Sequence, residues 1–321
     1  MSAPVVEVHA PSRLHFGMFS FAQPGMRQFG GVGAMVGQGT LRVRIEPAER
    51  FVGDGPLAER ARATAERFAR VRGDAQLPNC RVQVTAAPEE HVGLGVGTQL
   101  ALSVVAGLNE FVGGDPLDAQ ALATLSGRGA RSAVGTYGFA LGGLLVERGK
   151  LAEEPLSPLE SRVDLPTQWR FALVCPGDQR GLWGEDEQRA FRDLPPVSRE
   201  TTARLWQEVR SELLPAARAA EFERFGESIY RFGYLAGSCF AARQGGPFAG
   251  SKIEELVSAI RELGVRGVGQ TSWGPTVFAL LESQATAEEF QVRLCSKFPA
   301  GNKLAIVAPN NAGASILRSD T

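Results

Sequence analysis

Five short segments of this chain carry residues that could do chemistry. The sharpest is His91-Val92-Gly93-Leu94-Gly95-Val96-Gly97-Thr98-Gln99-Leu100-Ala101-Leu102. Gly93, Gly95 and Gly97 would let backbone N–H groups approach an anion closely. The apolar run from Thr98 and Gln99 onward reads as a helix whose positive N-terminus faces the same anion. No Gly-Lys-Ser/Thr follows, so this is not a Walker A loop. Thr98 stands where a dinucleotide fingerprint needs its third glycine. The plain alternative is a tight turn ahead of a helix.

Arg13 and His15 are two apart, on one side of an extended segment. An arginine there could bind a phosphate or a carboxylate, with the histidine donating to the same group; otherwise they are a surface arginine and a hydrogen-bonded core histidine. Arg128 and Arg131 lie at helical spacing. Their planar guanidinium groups suit bidentate anion binding, although a solvated helix face explains them equally simply. Gln270, Thr271, Ser272 and Trp273 form a polar loop with one aromatic. Ser272 could hold a phosphate, and Trp273 could stack on a ring or merely pack. Gly184-Glu185-Asp186-Glu187 reads first as a solvated acidic loop.

The elements that must position these residues change character along the chain. Val5–His9, Leu41–Ile45 and Arg81–Thr85 alternate like strands. Pro56–Val71 carries Leu57, Ala61, Ala65, Phe68 and Val71 on one helical face, with charges opposite. Thr98–Phe111 is an apolar helix and Leu141–Val146 a buried strand. Pro155, Pro158 and Pro166 mark a boundary. Beyond it, Arg170–Cys175 is a strand, and helical stretches run from Arg199 to Arg243. A helix (Lys252–Leu263), two strands (Arg266–Val268, Thr276–Leu281), a helix (Ala287–Phe298) and a strand (Lys303–Val307) follow. Without the inserted helices this second half reads β-α-β-β-α-β, the ferredoxin-like order.

Composition narrows the function. At 321 residues the prior is two domains. A formal charge of −1 argues against a general polyanion binder but leaves room for a local anion site. Three histidines and four scattered cysteines, none in a CxxC pair, argue against a metal site built on them. The thiols are expected to be free and buried. No export signal or membrane span is evident, which points to a cytoplasmic protein.

The glycine loop resembles the second motif of the GHMP kinase superfamily, Gly-Leu-Gly-Ser-Ser-Ala. Ala10-Pro11-Ser12-Arg13-Leu14-His15-Phe16-Gly17 looks like its first motif. Gly267-Val268-Gly269-Gln270-Thr271-Ser272-Trp273-Gly274-Pro275-Thr276 looks like its third. The resemblance implies an α+β, GHMP-kinase-like two-domain fold. Residues 1–160 would form an S5-like N-terminal domain with the phosphate loop, and 161–321 a ferredoxin-like C-terminal domain, with the anion site in the cleft between them.

Within that superfamily the chain is most similar to the β-ribofuranosylaminobenzene 5′-phosphate synthases. The blocks that carry this are Arg13–Gly17, Gly97–Leu102, and Gly127-Arg128-Gly129-Ala130-Arg131-Ser132 continuing through Gly135, Phe139, Gly142 and Gly143. The implied reaction joins phosphoribosyl pyrophosphate to para-aminobenzoate or para-hydroxybenzoate, with loss of carbon dioxide and pyrophosphate, in tetrahydromethanopterin biosynthesis. The resemblance places Arg13 and His15 in catalysis. It places Gly93, Gly95, Gly97, Thr98, Gln99, Arg128 and Arg131 on phosphate, and Gln270, Ser272 and Trp273 on substrate. It also implies Mg2+ (or Mn2+), with Glu187 helping to hold it, and a homodimer.

Two departures bear on the rival activity, an ATP-dependent small-molecule kinase. Val96 and Gly97 replace the usual serine pair, and the turn Gly135-Thr136-Tyr137-Gly138 has no carboxylate to activate a hydroxyl. A non-catalytic ligand-binding protein on the same scaffold is the second alternative.

Overall fold

Two long strands organise the first half. The computed structural model describes residues 4–177, 181, 184–298 and 301–320. β1 (Pro4–Ser20) and β2 (Phe29–Pro47) pair antiparallel over nearly their whole length. Their early registers, Val6 opposite Ile45 and Val8 opposite Val43, point β-branched side chains into one core. The register shifts between Ala10 and Ser12, and again between His15 and Gly17. These bulges bracket Arg13 and His15 and re-aim them, as bulges beside functional sites commonly do.

β3 (Val52–Asp54), β4 (Cys80–Ala86), β5 (Leu144–Glu147) and β6 (Leu159–Val163) extend the same sheet. Helix Val96–Phe111 lies on it, buried on almost every side, with Leu100, Val104, Val105 and Leu108 in the core of β1, β2 and β4. Burying each such side chain stabilises the fold by about 1.5–3 kcal/mol. The helix start is thereby pinned, and with it the glycine loop.

The second sheet contains β7 (Arg170–Pro176), β8 (Val268–Gln270), β9 (Val277–Leu281) and β10 (Asn302–Val307), in the order β10-β7-β9-β8 and all antiparallel. That is the ferredoxin-like arrangement expected from the element order. Between β7 and β8 the chain inserts helices including Arg199–Glu208, Phe222–Ser238 and Ser251–Glu262.

The division at residue 160 needs correction. It falls inside β6, which pairs with β5 of the first sheet. The last strand, β11 (Ser315–Asp320), returns to pair with β1, so the first sheet closes around both ends of the chain. No described helix is long and apolar enough to cross a membrane. All four thiols are free, but only Cys80 is fully buried and Cys295 is exposed, against the expectation that all would be inside.

Candidate active site

Three segments distant in sequence interlock beneath the glycine loop. Thr271 ties them together. Its Oγ1 accepts from the His15 backbone N–H at 2.9 Å and donates to the Gly93 carbonyl at 3.0 Å. The Arg13 N–H donates to the Leu94 carbonyl, and the Ser272 N–H to the His15 carbonyl, each at 3.0 Å. The loops touch backbone to backbone: a Cβ on Gly274 would lie 2.3 Å from the Gly93 Cα. Glycine is needed there because any side chain would push the two loops apart.

Two cavities meet at this junction and share Ser272 and Trp273. One is polar, about 170 Å³, and is lined by Arg13, Arg60, Glu90, Arg128 and the loop from Gly93 to Thr98. The other is smaller, about 50 Å³, and has the rings of Phe16, Phe240, Phe248 and Trp273 in its wall together with His15 and Gln270.

The polar cavity carries excess positive charge. Arg60 pairs with Glu90 and packs over the loop, where a Cβ on Gly97 would come within 2.8 Å of its Nη2. Arg128 is half-buried. Burial, aggravated by the Arg60 and Arg67 charges, pushes its pKa below the usual guanidinium range. Its Nε is buried with no hydrogen-bond partner among the described residues. An under-compensated buried cation is costly, and an arriving anion removes that cost. The helix N-terminus after Gly95 adds its dipole to the same point.

Of the residues expected on phosphate, Gly93, Gly95, Gly97, Thr98 and Arg128 line this cavity. Gln99 does not. It is buried, and its Nε2 donates to the Gly135 carbonyl at 3.0 Å, fastening the loop helix to helix Val134–Leu141. Arg131 also departs: its guanidinium lies over the Phe191 ring at 5.3 Å. The helical spacing of the two arginines fails because helix Ala119–Ser126 ends at Gly127, φ 70°. Residues 127–133 are irregular and send the two side chains apart.

On the aromatic side, Gln270 uses its amide for bracing. Nε2 donates to the Gly274 carbonyl, and Oε1 accepts from the Ala249 N–H, both at 2.8 Å. Trp273 both packs and lines the cavities. It meets Phe240 edge-on at 5.1 Å and Phe191 at 5.4 Å. Glu187 belongs to helix Gly184–Asp193, but its side chain lies outside the described residues. Arg60 and Glu90 went unseen in the sequence, because Arg60 looked like any charge on the outer face of its helix. Thr271 stands in the polar loop of the sequence with nothing to show that it ties three segments together.

Residues 213–300 match the family described as GHMP kinases C terminal. Over the whole chain the fold is similar to Lactococcus lactis galactokinase complexed with galactose (TM-score 0.71, 11% identity, 97% and 95% of the two chains covered). It is also similar to homoserine kinase from Cytophaga hutchinsonii (TM-score 0.67, 15% identity, 98% and 97% covered). The chain carries the GHMP kinase fold.

Among curated relatives, the chain is 28% identical over 303 residues to a β-ribofuranosylphenol 5′-phosphate synthase of Archaeoglobus fulgidus, covering 90% of this chain and 92% of the relative. A protein of the same name in Methanothermobacter thermautotrophicus is 27% identical over 297 residues, covering 86% and 89%. The resemblance first carried by scattered motifs therefore extends over most of this GHMP-fold chain.

The loop gives a direct test. Gly95 caps the helix at φ 74°, a region that aspartate tolerates better than most side chains. A Cβ there would lie 3.2 Å from Arg13 Nε, so Gly95→Asp would set a carboxylate against the arginine inside the anion cavity. The variant is expected to fold, by circular dichroism and melting, and to bind pyrophosphate at least tenfold more weakly than the unmodified protein by calorimetry. Tight binding by the folded variant would remove this loop from the site.

Proposed function

We propose that this protein transfers a phosphoribosyl group from phosphoribosyl pyrophosphate to the ring of a benzoate, releasing pyrophosphate and carbon dioxide. The observation that carries this reading is the adjacency of the two cavities. An anion on the glycine loop and a ring among the aromatic residues would sit on either side of Ser272 and Trp273. The relatives' name contains a phenol product, which makes para-hydroxybenzoate the first acceptor to try and para-aminobenzoate the second.

The residues divide the work by charge. Loop N–H groups, the helix N-terminus, Arg13, Arg60 and Arg128 would hold the pyrophosphate and stabilise its charge as the ribose C1–O bond breaks. That bond's electron pair leaves with pyrophosphate, and C1 becomes cationic. The ring carbon bearing the carboxylate then forms the new C–C bond to C1. The bond to the carboxylate breaks next, its electrons restoring aromaticity as carbon dioxide departs. The ring supplies the electrons, so no protein nucleophile is needed.

The kinase alternative is less well supported. Val96, at a position where the superfamily motif has serine, is buried in the core, and residues 135–138 carry no carboxylate beside the cleft. Purified protein should consume phosphoribosyl pyrophosphate with para-hydroxybenzoate and leave ATP untouched in the presence of small alcohols. ATP-dependent phosphorylation of an alcohol would favour the kinase. Silence in both assays would favour a binding protein.

Magnesium fits this site as a companion of the substrate. No group of three or more His, Cys, Asp or Glu side chains converges among the described residues. The oxygen-bearing side chains at the cleft include Glu90, already paired to Arg60, and Thr98. Mg2+ is held mainly by phosphate oxygens and water when few protein ligands are offered, and it would screen the charge of the bound pyrophosphate. Activity should vanish in EDTA and return with Mg2+ or Mn2+. Full activity in metal-free buffer would refute the metal requirement.

A further inference from the structure

Beneath the aromatic cavity lies a hydrogen-bonded chain that the reaction as described does not use. His15 Nε2 is 3.2 Å from Ser132 Oγ. Ser132 Oγ donates to Glu147 Oε1 at 2.6 Å, and the same oxygen accepts from the Ala133 N–H at 2.8 Å. The Val134 N–H donates to Ser132 Oγ at 3.3 Å. His15 and Glu147 are both buried, at 2% and 0% exposure.

With Glu147 as a carboxylate, counting protons selects one histidine tautomer. A serine hydroxyl has one proton and two acceptor sites. The Ser132 proton goes to Glu147, which already accepts from Ala133 at the same oxygen. One lone pair of Ser132 takes the Val134 N–H. The group that remains at Ser132 must be a donor, so His15 carries its proton on Nε2. In a neutral ring the other nitrogen, Nδ1, is then bare and can only accept.

We infer that Ser132 and Glu147 are positioning residues that hold His15 as a neutral acceptor, and that Nδ1 receives a hydrogen bond from the hydroxyl or amino group of the aromatic substrate. This rests on the phosphoribosyl-transfer reading for the identity of the ligand, but the tautomer itself does not. Burial and the neighbouring Arg13 charge support the neutral ring, holding the His15 pKa down at about 3. Burial pushes the Glu147 carboxyl above its ordinary range, while the hydrogen bonds from Ser132, Ser157 and the Ala133 and Val134 N–H groups favour the carboxylate that accepts from Ser132.

The chemistry suits the reaction. An acceptor at the hydroxyl draws its proton outward and increases the electron density of the ring at the para carbon. That carbon bears the carboxylate and must attack ribose C1. A substrate with no donor at that position, such as para-methoxybenzoate, would lose both the contact and the activation. The arrangement assigns His15 an acceptor's role, opposite to the donor role that its pairing with Arg13 suggested in the sequence.

Nitrogen-15 NMR of histidine-labelled full-length protein at pH 7 tests this. The chain has three histidines, so His9→Gln and His91→Gln variants assign the spectrum by subtraction. The expected His15 signal is the Nε2-protonated neutral tautomer. Its Nδ1 resonance should move on adding para-hydroxybenzoate with pyrophosphate, and stay put with para-methoxybenzoate. Ser132→Ala should populate both tautomers and lower kcat about tenfold, the size of one lost hydrogen bond, while KM for phosphoribosyl pyrophosphate changes less than about twofold. Ser132→Thr should restore the single tautomer and most of kcat.

An Nδ1-protonated or doubly protonated His15 in the unmodified protein would overturn the inference, whether or not any variant folds. So would a folded Ser132→Ala with an unchanged tautomer or an unchanged kcat. If the tautomer is as expected but no phosphoribosyl transfer occurs, the reaction has been misread and the assignment of the ligand falls with it, while the positioning of His15 stands.

Discussion

Arg13→Ala is expected to lower kcat/KM for phosphoribosyl pyrophosphate by about tenfold to a hundredfold or more, with the fold intact. A charge-assisted hydrogen bond to an anion in such a site contributes about 1.5–3 kcal/mol. Arg13 lines the anion cavity from β1, between two register shifts, and its backbone N–H holds the glycine loop at Leu94. The alanine variant keeps that backbone bond and loses only the guanidinium. Arg13→Lys should recover part of the activity, because a lysine ammonium cannot reproduce the planar fork of a guanidinium. Melting temperature and steady-state rates on the same preparations decide between roles. A folded alanine variant with unaltered kinetics would take Arg13 off the site. A large drop in melting temperature with normal kinetics would make it structural.

Arg128→Met is expected to move stability and binding in opposite directions. Arg128 is half-buried beside the Arg60 and Arg67 charges, and its Nε is buried with no partner among the described residues. Replacing a half-buried charge that lacks an anionic partner with an apolar side chain of similar length should stabilise the free protein, by up to about 1 kcal/mol. For a chain of this size that is a rise of a few degrees in melting temperature, roughly 2–4 °C per kcal/mol. Affinity for phosphoribosyl pyrophosphate should fall by about tenfold to a hundredfold, as one charged hydrogen-bonding partner is lost. Calorimetric titration and a melting scan read both effects. A lower melting temperature with unchanged affinity would mean that Arg128 is a structural residue.

The contrast between Arg128 and Arg131 shows what the sequence could reveal about this site. Both stand in one glycine-rich block, and nothing in their spacing tells them apart. The left-handed Gly127 ends the preceding helix, and the irregular backbone after it sends one guanidinium to the anion cavity and the other onto Phe191. The glycine loop was legible because the chemistry proposed for it is local: the groups that would bind an anion are its own N–H donors and the helix they begin. Gln99 was misjudged for a related reason. It follows the loop directly, but the helix turns its side chain inward to Gly135.

Long-range features were hidden. Arg60 reaches the loop only because helix Ala58–Arg72 packs beside helix Val96–Phe111. Ser132 meets His15 across 117 residues of chain, and Glu147 meets Ser132 across a further 15; Ser132 stands in the glycine-rich block with nothing to mark its partner, and Glu147 belongs to no local pattern. The fold followed the same division. The alternating strands and the amphipathic helices were readable from periodicity. The Gly30–Gly39 half of β2 was not, because its glycines erase the alternation. β11 was missed because residues 315–320, exposed from 316 to 319, owe their strand conformation to β1 rather than to their own sequence.

The most direct test of the central claim is a single-turnover experiment with carboxyl-labelled para-hydroxybenzoate, phosphoribosyl pyrophosphate and Mg2+, repeated with para-aminobenzoate. The account predicts that labelled carbon dioxide and pyrophosphate appear in equal amounts, together with one equivalent of a ribosylated phenol or arylamine that has lost its carboxyl group. Pyrophosphate without carbon dioxide, or a product that keeps its carboxylate, would contradict it.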